Sequence, residues 1–71
     1  MLEEVVINAL RRLGAATYEE LRNYLIREGE DFLDVELRET VARLVREGRV
    51  EKLPNPEKLK LVFTPRHAGP A

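Results

Sequence analysis

A stretch of eighteen residues, Leu33–Val50, restricts the fold more than any other part of the chain. Placed on a helix, its apolar residues form one stripe that consists of Leu37, Val41 and Leu44, with Leu33 and Val45 on its flanks. Asp34 is positioned to cap this helix, because its carboxylate can accept hydrogen bonds from backbone N–H groups of the first turn. Gly48 is predicted to end the helix, and the residues after it alternate as in a strand. The stretch therefore predicts a capped amphipathic helix, a glycine stop and a strand in succession.

Two helices are predicted to precede this stretch. The apolar residues between Leu2 and Leu13 recur at helical spacing, and we expect one helix over that range. Thr17, followed three residues later by Glu20, matches a capping box, in which each side chain accepts a hydrogen bond from the other residue's backbone N–H. A second helix is therefore expected from Tyr18 to about Glu28. Only a short turn that contains glycine separates it from the third helix, and this spacing predicts a helix-turn-helix.

The remainder of the chain predicts a β-hairpin and a tail. The hydrophobic positions on either side of a proline-framed turn at residues 54–57 are, in chain order, Val50, Leu53, Leu59, Leu61 and Phe63. We therefore expect one α+β domain over residues 1–64, a three-helix helix-turn-helix core followed by a two-stranded β-hairpin. Residues 65–71 contain prolines and a glycine without an apolar period, and they are predicted to form a flexible tail.

The helix and strand periodicities point to one common hydrophobic core. The residues that we expect to share it are Val6, Leu10, Leu21, Leu25, Leu37, Val41, Leu44, Val50 and Phe63. Tyr18 and Tyr24 lie on the buried side of the second helix, so core packing is preferred over base stacking as their role. Ile7 and Ile26 fall outside the apolar stripes and are expected to be exposed. With so little exposed apolar surface, and no helical pattern after the hairpin, we expect a monomer or a weak homodimer.

The composition excludes several classes of protein. Apolar residues make up 44% of the chain and charged residues 35%, a balance found in folded domains rather than disordered ones. No apolar run approaches the ~20 residues of a transmembrane helix, and no secretory leader is recognisable. Cysteine is absent, which fits a cytoplasmic location. Arginine outnumbers lysine nine to three, and serine and glutamine are absent, which suggests either a thermophilic source or a bias in nucleotide composition.

The charges are divided unevenly along the chain. Residues 1–48 carry seven arginines and eleven acidic residues, a net charge of −4. Residues 49–71 carry five basic residues and two glutamates, a net charge of +3 with His67 counted as neutral. The whole chain, at −1, is therefore not a strongly basic nucleic-acid binder, but its last third has the local positive charge that contact with phosphates requires.

Four segments of the chain resemble the winged helix-turn-helix superfamily, and the resemblance covers nearly the whole sequence. The segments are Thr17–Leu21, Thr40–Leu44, Gly48–Val50 and Leu61–Pro65. In that family the third helix is the recognition helix, and the hairpin is the wing that rests against the DNA backbone. The resemblance therefore implies that the third helix and the hairpin of this chain bind duplex DNA.

The residues that we predict to bind nucleic acid are Arg38, Thr40, Arg43, Arg46, Arg49, Lys52, Lys58 and Lys60, with Arg66 adding to the basic cluster of the hairpin. Arg43 is the best candidate on the third helix for reaching a base or a phosphate. Glu39 and Glu47 lie four residues away on either side, however, so surface ion pairs are an alternative role for Arg43.

The other predicted residues also have alternative roles. Arg38 and Arg46 could cover the edges of the core with their aliphatic stems. Thr40 could bond a phosphate or the backbone carbonyl of Glu36 one turn earlier. The lysines of the hairpin could protect an exposed sheet edge from pairing with another chain.

The sequence contains no arrangement that predicts catalysis. His67 is the only histidine, and neither a cysteine nor a second histidine is present to complete a metal site with it. No nucleophile is spaced with a base, and no glycine-rich loop is present to hold a phosphate. We therefore expect no enzymatic activity, no metal and no cofactor.

Two main functional hypotheses follow. The first is a small DNA-binding, transcription-associated or chromatin-type factor that uses the third helix and the basic hairpin, whose lysines would supply most of the affinity. The second is a protein–protein interaction module within a transcription or translation assembly. The net charge of −1 and the acidic residues Glu36 and Glu39 on the outward face of the third helix favour the second hypothesis. Association with RNA or the ribosome is a third hypothesis.

Overall fold

A computed structural model describes residues 1–63 of the chain. The elements are α1 (Leu2–Leu13), α2 (Tyr18–Arg27), α3 (Asp34–Arg46), β1 (Val50–Leu53) and β2 (Lys58–Leu61). The predicted α+β architecture is confirmed, because three helices are followed by a two-stranded antiparallel hairpin that matches a helix-turn-helix core with a wing. In residues 1–63, no helix has both the length and the apolar character needed to cross a membrane. The predicted tail at 65–71, with Arg66 and His67, lies outside the described residues.

Local sequence signals set the start of α2 and the end of α3. The Glu20 N–H donates to Thr17 Oγ1 at 3.0 Å, and the Thr17 N–H donates to Glu20 Oε1 at 2.9 Å, so the predicted capping box is confirmed. After α3, Gly48 has a φ of 77°, a conformation that favours glycine. The Arg49 N–H then donates to the Leu44 carbonyl at 2.9 Å, which closes a Schellman motif and directs the chain into β1.

The start of α3 differs from the prediction. Leu33, not Asp34, is the N-cap residue, and its backbone N–H donates to Glu36 Oε1 at 3.0 Å. Asp34 is the first helical residue, and its carboxylate accepts hydrogen bonds from the side chains of Tyr18 and Arg38 instead. Leu33 has extended backbone and so lies outside the helical phase of the apolar stripe. Its side chain is therefore 63% exposed rather than packed beside the core.

Thr17→Ala is expected to lower the free energy of unfolding by about 1 kcal/mol, because the Glu20 N–H loses its acceptor at the start of α2. Thr17→Ser keeps the hydroxyl and is the matched control, with an expected change within roughly 0.5 kcal/mol. Urea unfolding of the three proteins, followed by circular dichroism, measures both changes. Equal losses in the two variants would contradict a contribution from the cap.

The hairpin is joined to the α1–α2 connection through Leu59, the second residue of β2. β1 and β2 pair antiparallel with Val50 opposite Leu61, and residues 54–57 form the polar loop that the sequence predicts. The Leu59 N–H donates to the Ala16 carbonyl at 2.6 Å, and the Ala16 N–H donates to the Leu59 carbonyl at 3.0 Å. At Leu59, β2 therefore has backbone partners on both sides.

One core collects side chains from all five elements, with α1 packed against α2, α3 and β2. The buried residues are Val6, Ala9, Leu10, Ala16, Leu21, Leu25, Leu37, Val41, Leu44, Val50, Leu59 and Leu61. They include every predicted core residue except Phe63, which is 72% exposed, so that prediction is wrong. If the strand register continued, Phe63 would pair with Gly48. Gly48 is part of the turn that ends α3, so no strand is present there to pair with Phe63 and bury it.

Partly buried side chains extend this core at its edges. Tyr18 and Tyr24 pack against the core as predicted, although both are only half-buried. Ile7 was predicted to be exposed, but it is half-buried and packs against the core. The reason is that α1 contacts three other elements, so more than one stripe of its surface is covered. Ile26 is exposed, as predicted.

Candidate functional site

An open groove lies between α3 and the hairpin, and we call it the α3–hairpin groove. Its lining residues are Tyr18, Arg38, Val41, Ala42, Lys52, Glu57 and Leu59. The groove has a volume of about 340 Å³, and its wall includes the first residue of α2. Two of the predicted nucleic-acid-binding residues, Arg38 from α3 and Lys52 from β1, meet at this groove.

Beside the groove lies a group of polar side chains, which we call the Asp34 cluster: Tyr18, Arg22, Asp34 and Arg38. The Tyr18 hydroxyl donates to Asp34 Oδ1 at 2.9 Å, and the Arg38 Nε–H donates to Asp34 Oδ2 at 2.9 Å. Arg22 Nε lies 3.4 Å from Asp34 Oδ1. The Arg38 guanidinium also lies over the Tyr18 ring, 4.7 Å from its centroid, which is within cation–π distance. One carboxylate therefore holds two guanidinium groups and a phenol.

These contacts shift three pKa values. Burial and the hydrogen bond to Asp34 raise the pKa of the Tyr18 hydroxyl to about 12. The hydrogen bonds from Arg38 and Tyr18 lower the pKa of Asp34 below its usual 3.8, and the same carboxylate raises the pKa of Arg38. Near neutral pH, Asp34 is therefore ionised while Tyr18 and Arg38 keep their protons. The raised pKa of Tyr18 contributes stability that is fully present below pH 10.0, the ordinary pKa of tyrosine. This stability is lost as the pH rises through about 12.

Lys52 extends toward the groove from the inner face of the hairpin. Because side chains alternate between the two faces of a strand, Lys52 shares its face with the buried Val50 and Leu59. Lys52 Nζ lies 3.4 Å from Glu57 Oε2, across the loop of the hairpin. Both side chains are more than half exposed, and a pair of this kind contributes only about 0–1 kcal/mol to stability.

Arg43 and Arg49 lie away from the groove and share Glu3 on α1, and we call these three residues the Glu3 bridge. Arg43 Nη2 donates to Glu3 Oε1 at 2.9 Å, and Arg49 Nη1 donates to Glu3 Oε2. Glu47 is more distant, at 4.0 Å from Arg43 Nε and 3.9 Å from Arg49 Nη1. Glu39 was the other ion-pair partner predicted for Arg43 from the sequence, but no ion pair joins the two side chains among residues 1–63.

Thr40 and Arg46 line a second groove, which adjoins the α3–hairpin groove at Ala42. Its remaining walls are formed by Leu2, Asp31, Glu36, Glu39, Ala42 and Arg43. Three acidic and two basic side chains therefore share this groove, whereas a nucleic-acid-binding surface is usually dominated by basic ones. Within the described part of the chain, Arg46 forms no ion pair.

Lys58 and Lys60 lie on the outer face of the hairpin, on the side opposite to Lys52. The register places Lys60 opposite Glu51, on this same outer face. Neither Lys58 nor Lys60 pairs with an acidic side chain of residues 1–63. The hairpin lysines therefore do not form one cluster, because the strand period sends them to two faces.

The eight predicted site residues thus occupy four separate places in the fold. Sequence reasoning did not include Tyr18, Arg22 or Asp34 among them, although the i, i+4 spacing of Asp34 and Arg38 is a usable signal for an ion pair on a helix. The approach of Arg22 had no such signal, since it depends on how α2 and α3 are oriented. In residues 1–63 no three His, Cys, Asp or Glu side chains are grouped closely enough to hold a metal ion.

No family model, curated protein or solved structure matched this chain in comparisons with known proteins. Function therefore has to be inferred from the chemistry of the α3–hairpin groove and its surroundings. A helix-turn-helix core with a wing serves more than one function, so its shape alone is not sufficient.

Proposed function

We propose that this chain is a winged-helix nucleic-acid-binding protein that contacts the phosphate backbone of duplex DNA at the α3–hairpin groove. The main support is the convergence of Arg38 and Lys52 at one groove, between the two elements that winged-helix proteins use to bind DNA. Arg22 and the Tyr18 hydroxyl lie beside them in the Asp34 cluster. Cationic side chains and hydroxyl groups are typical donors to DNA phosphates. Such phosphate contacts position a protein on DNA without reading the DNA sequence.

The cations at the groove are paired, but their partners are exposed. Asp34, the partner of Arg38, is 50% exposed, and Glu57, the partner of Lys52, is 65% exposed. Exposed ion pairs contribute about 0–1 kcal/mol, so exchanging a carboxylate for a phosphate is expected to cost little. Arg43 and Arg49, in contrast, share a carboxylate that is only 24% exposed. We therefore assign these two arginines to the stability of the fold rather than to DNA contact.

The affinity is expected to be modest, because residues 1–48 carry a net charge of −4. If Arg22, Arg38 and Lys52 neutralise three phosphates, the logarithm of the association constant should fall with the logarithm of the salt concentration at a slope of roughly −2.7. Binding should then weaken about fortyfold between about 50 and about 200 mM salt. Preference among DNA sequences is expected to be weak, since none of these contacts reads a base edge.

The test compares two double variants that remove the same charge from opposite faces of the hairpin region. Arg38→Gln with Lys52→Gln is expected to weaken binding to every duplex and to reduce the salt slope by about two. Lys58→Gln with Lys60→Gln removes the same two charges from the outer face. It should weaken binding less and leave the slope nearly unchanged, because distant charges are screened. Fluorescence anisotropy of one labelled duplex in a salt series measures both quantities.

The outcomes of this titration separate the alternatives. A larger loss in the Lys58 and Lys60 variant would move the interface to the outer face of the hairpin, which carries two of the three lysines that the sequence predicts to supply most of the affinity. Absence of binding by the parent protein at about 50 mM salt would remove the DNA proposal altogether.

Protein–protein interaction remains a second candidate function, and exposed apolar side chains at the start of α3 favour it. Leu33 and Val35 are both more than half exposed there, next to the acidic Glu36. Contact with phosphates does not remove aliphatic side chains from water into apolar surroundings, so it adds little binding free energy. Burial of the same side chains against another protein would contribute favourably to the binding free energy. If the parent protein does not bind duplex DNA, protein–protein interaction is the function that better explains the exposed apolar side chains of α3.

A further inference from the structure

Asp34 receives polar contacts from three side chains, two of them on α2 and one on α3. Its carboxylate does not cap α3, since Leu33 is the N-cap residue and Glu36 accepts its N–H. It is also half exposed, so it needs no partners to offset burial. Nevertheless two guanidinium groups and one phenol, from two different helices, are directed at its two oxygens.

The donors of the Asp34 cluster suit a phosphodiester as well as a carboxylate. Guanidinium groups form charge-assisted hydrogen bonds with either oxyanion, and a phenolic hydroxyl donates to either. Arg22 and Arg38 together carry two positive charges against one negative charge on Asp34, so the cluster keeps an excess of one positive charge. The cluster adjoins the α3–hairpin groove through Tyr18 and Arg38, which belong to both.

We propose that Asp34 acts as an internal substitute for a backbone phosphate of DNA, holding Arg22, Arg38 and Tyr18 in position and competing with the phosphodiester for them. This inference rests on the proposed function. When DNA binds, the phosphodiester oxygens take over hydrogen bonds from the Asp34 carboxylate. Asp34 therefore has two opposed effects: it orders the donors before binding, and it weakens the final complex by repulsion.

The key variant is Asp34→Asn, which removes the charge but keeps an oxygen that can accept from the Tyr18 hydroxyl. Removing one negative charge at contact distance is expected to tighten binding to duplex DNA about fivefold at low salt. Glu39→Gln is the matched control, because it removes the same charge from the exposed side of the same helix. Its effect is expected to be less than about twofold, since it acts only through screened, longer-range repulsion.

A double-variant cycle tests whether Asp34 acts through Arg38. Arg38→Gln is expected to weaken DNA binding at least about twofold more in the Asp34→Asn background than in the parent, because Arg38 is no longer shared with the carboxylate. In the Glu39→Gln background, Arg38→Gln should cost the same as in the parent. A merely structural role of Asp34 would not produce this difference.

The pKa of Tyr18 provides a readout that does not involve DNA. In a Tyr24→Phe background, which leaves Tyr18 as the only tyrosine, ultraviolet absorbance reports its ionisation directly. Asp34→Asn is expected to lower this pKa from about 12 but to leave it above 10.0, because burial is the larger cause of the shift and persists. An unchanged pKa would mean that the negative charge of Asp34 does not act on the Tyr18 hydroxyl in solution.

The experiment separates failure of this inference from failure of the proposed function. If the parent binds DNA and Asp34→Asn binds no more tightly than Glu39→Gln, the competition by Asp34 is overturned while DNA binding stands. If the parent does not bind duplex DNA at about 50 mM salt, the proposed function itself is overturned and this inference with it. Thermal unfolding of each variant checks that it is folded, and Asp34→Ser replaces Asp34→Asn if the asparagine variant is not.

Discussion

Leu44→Ala is expected to lower the free energy of unfolding by about 2–5 kcal/mol. Leu44 is fully buried in α3, on the side that faces the shared core. Truncation removes the favourable transfer of its side chain from water and leaves a cavity that close-packed neighbours fill only in part. A domain this small is expected to have a total stability toward the low end of about 5–15 kcal/mol, so the variant should lose a large share of it.

Val35→Ala is the control for this prediction, because Val35 lies on the same helix but is more than half exposed. Its expected effect is within roughly 0.5 kcal/mol. Thermal unfolding followed by circular dichroism compares the two variants with the parent. A midpoint for Leu44→Ala within about two degrees of the parent would show that Leu44 does not have the central place in the core described above.

The second large effect is expected at Glu3. Glu3→Gln should lower the free energy of unfolding by about 1–3 kcal/mol, because Arg43 and Arg49 both lose the charge that they share. Arg43 is half-buried, and its Nε already has no hydrogen-bond partner among the described residues, so it has few alternatives when Glu3 is neutralised. The same change would also release the first turn of α1 from α3.

Glu4→Gln provides a close control for Glu3→Gln. Both residues are in the first turn of α1, so both changes remove the same favourable interaction with the helix dipole. Glu4 is exposed, however, and it forms no ion pair within residues 1–63. Urea unfolding at low salt measures the two variants, and equal losses would mean that the Glu3 bridge adds nothing to stability.

The secondary structure was largely predictable, because its causes lie within a few residues of one another. Helical spacing, the Thr17 capping box and the stop at Gly48 are local features, and each has the predicted consequence in the structure. Leu33 and Phe63 were misassigned for a common reason. Each lies just beyond the end of an element, where the period of that element no longer determines the direction of a side chain.

The candidate site was less predictable, because its partners are distant in the sequence. Periodicity indicates which arginines of α3 are near the surface, but not which carboxylate each one meets. Arg38 pairs with Asp34 one turn away, whereas Arg43 meets Glu3 forty residues away. Arg43 reaches Glu3 only because α1 packs against α3, whereas Arg38 stays at the α3–hairpin groove. This difference between the two arginines cannot be read from the sequence of α3 alone.

The bridge between Ala16 and Leu59 holds the hairpin close to its loop, because Leu59 is the second residue of β2, and it does not constrain the length of the hairpin beyond that point. Beyond Leu59, the pair of Leu53 with Lys58 is the last one before the loop at residues 54–57. Adding one residue to each strand at this tip would lengthen the hairpin by about 3.3 Å while the buried positions stay in place. The distance that the hairpin spans along a neighbouring molecule can therefore change through insertions at its tip, independently of the packing that keeps the domain folded.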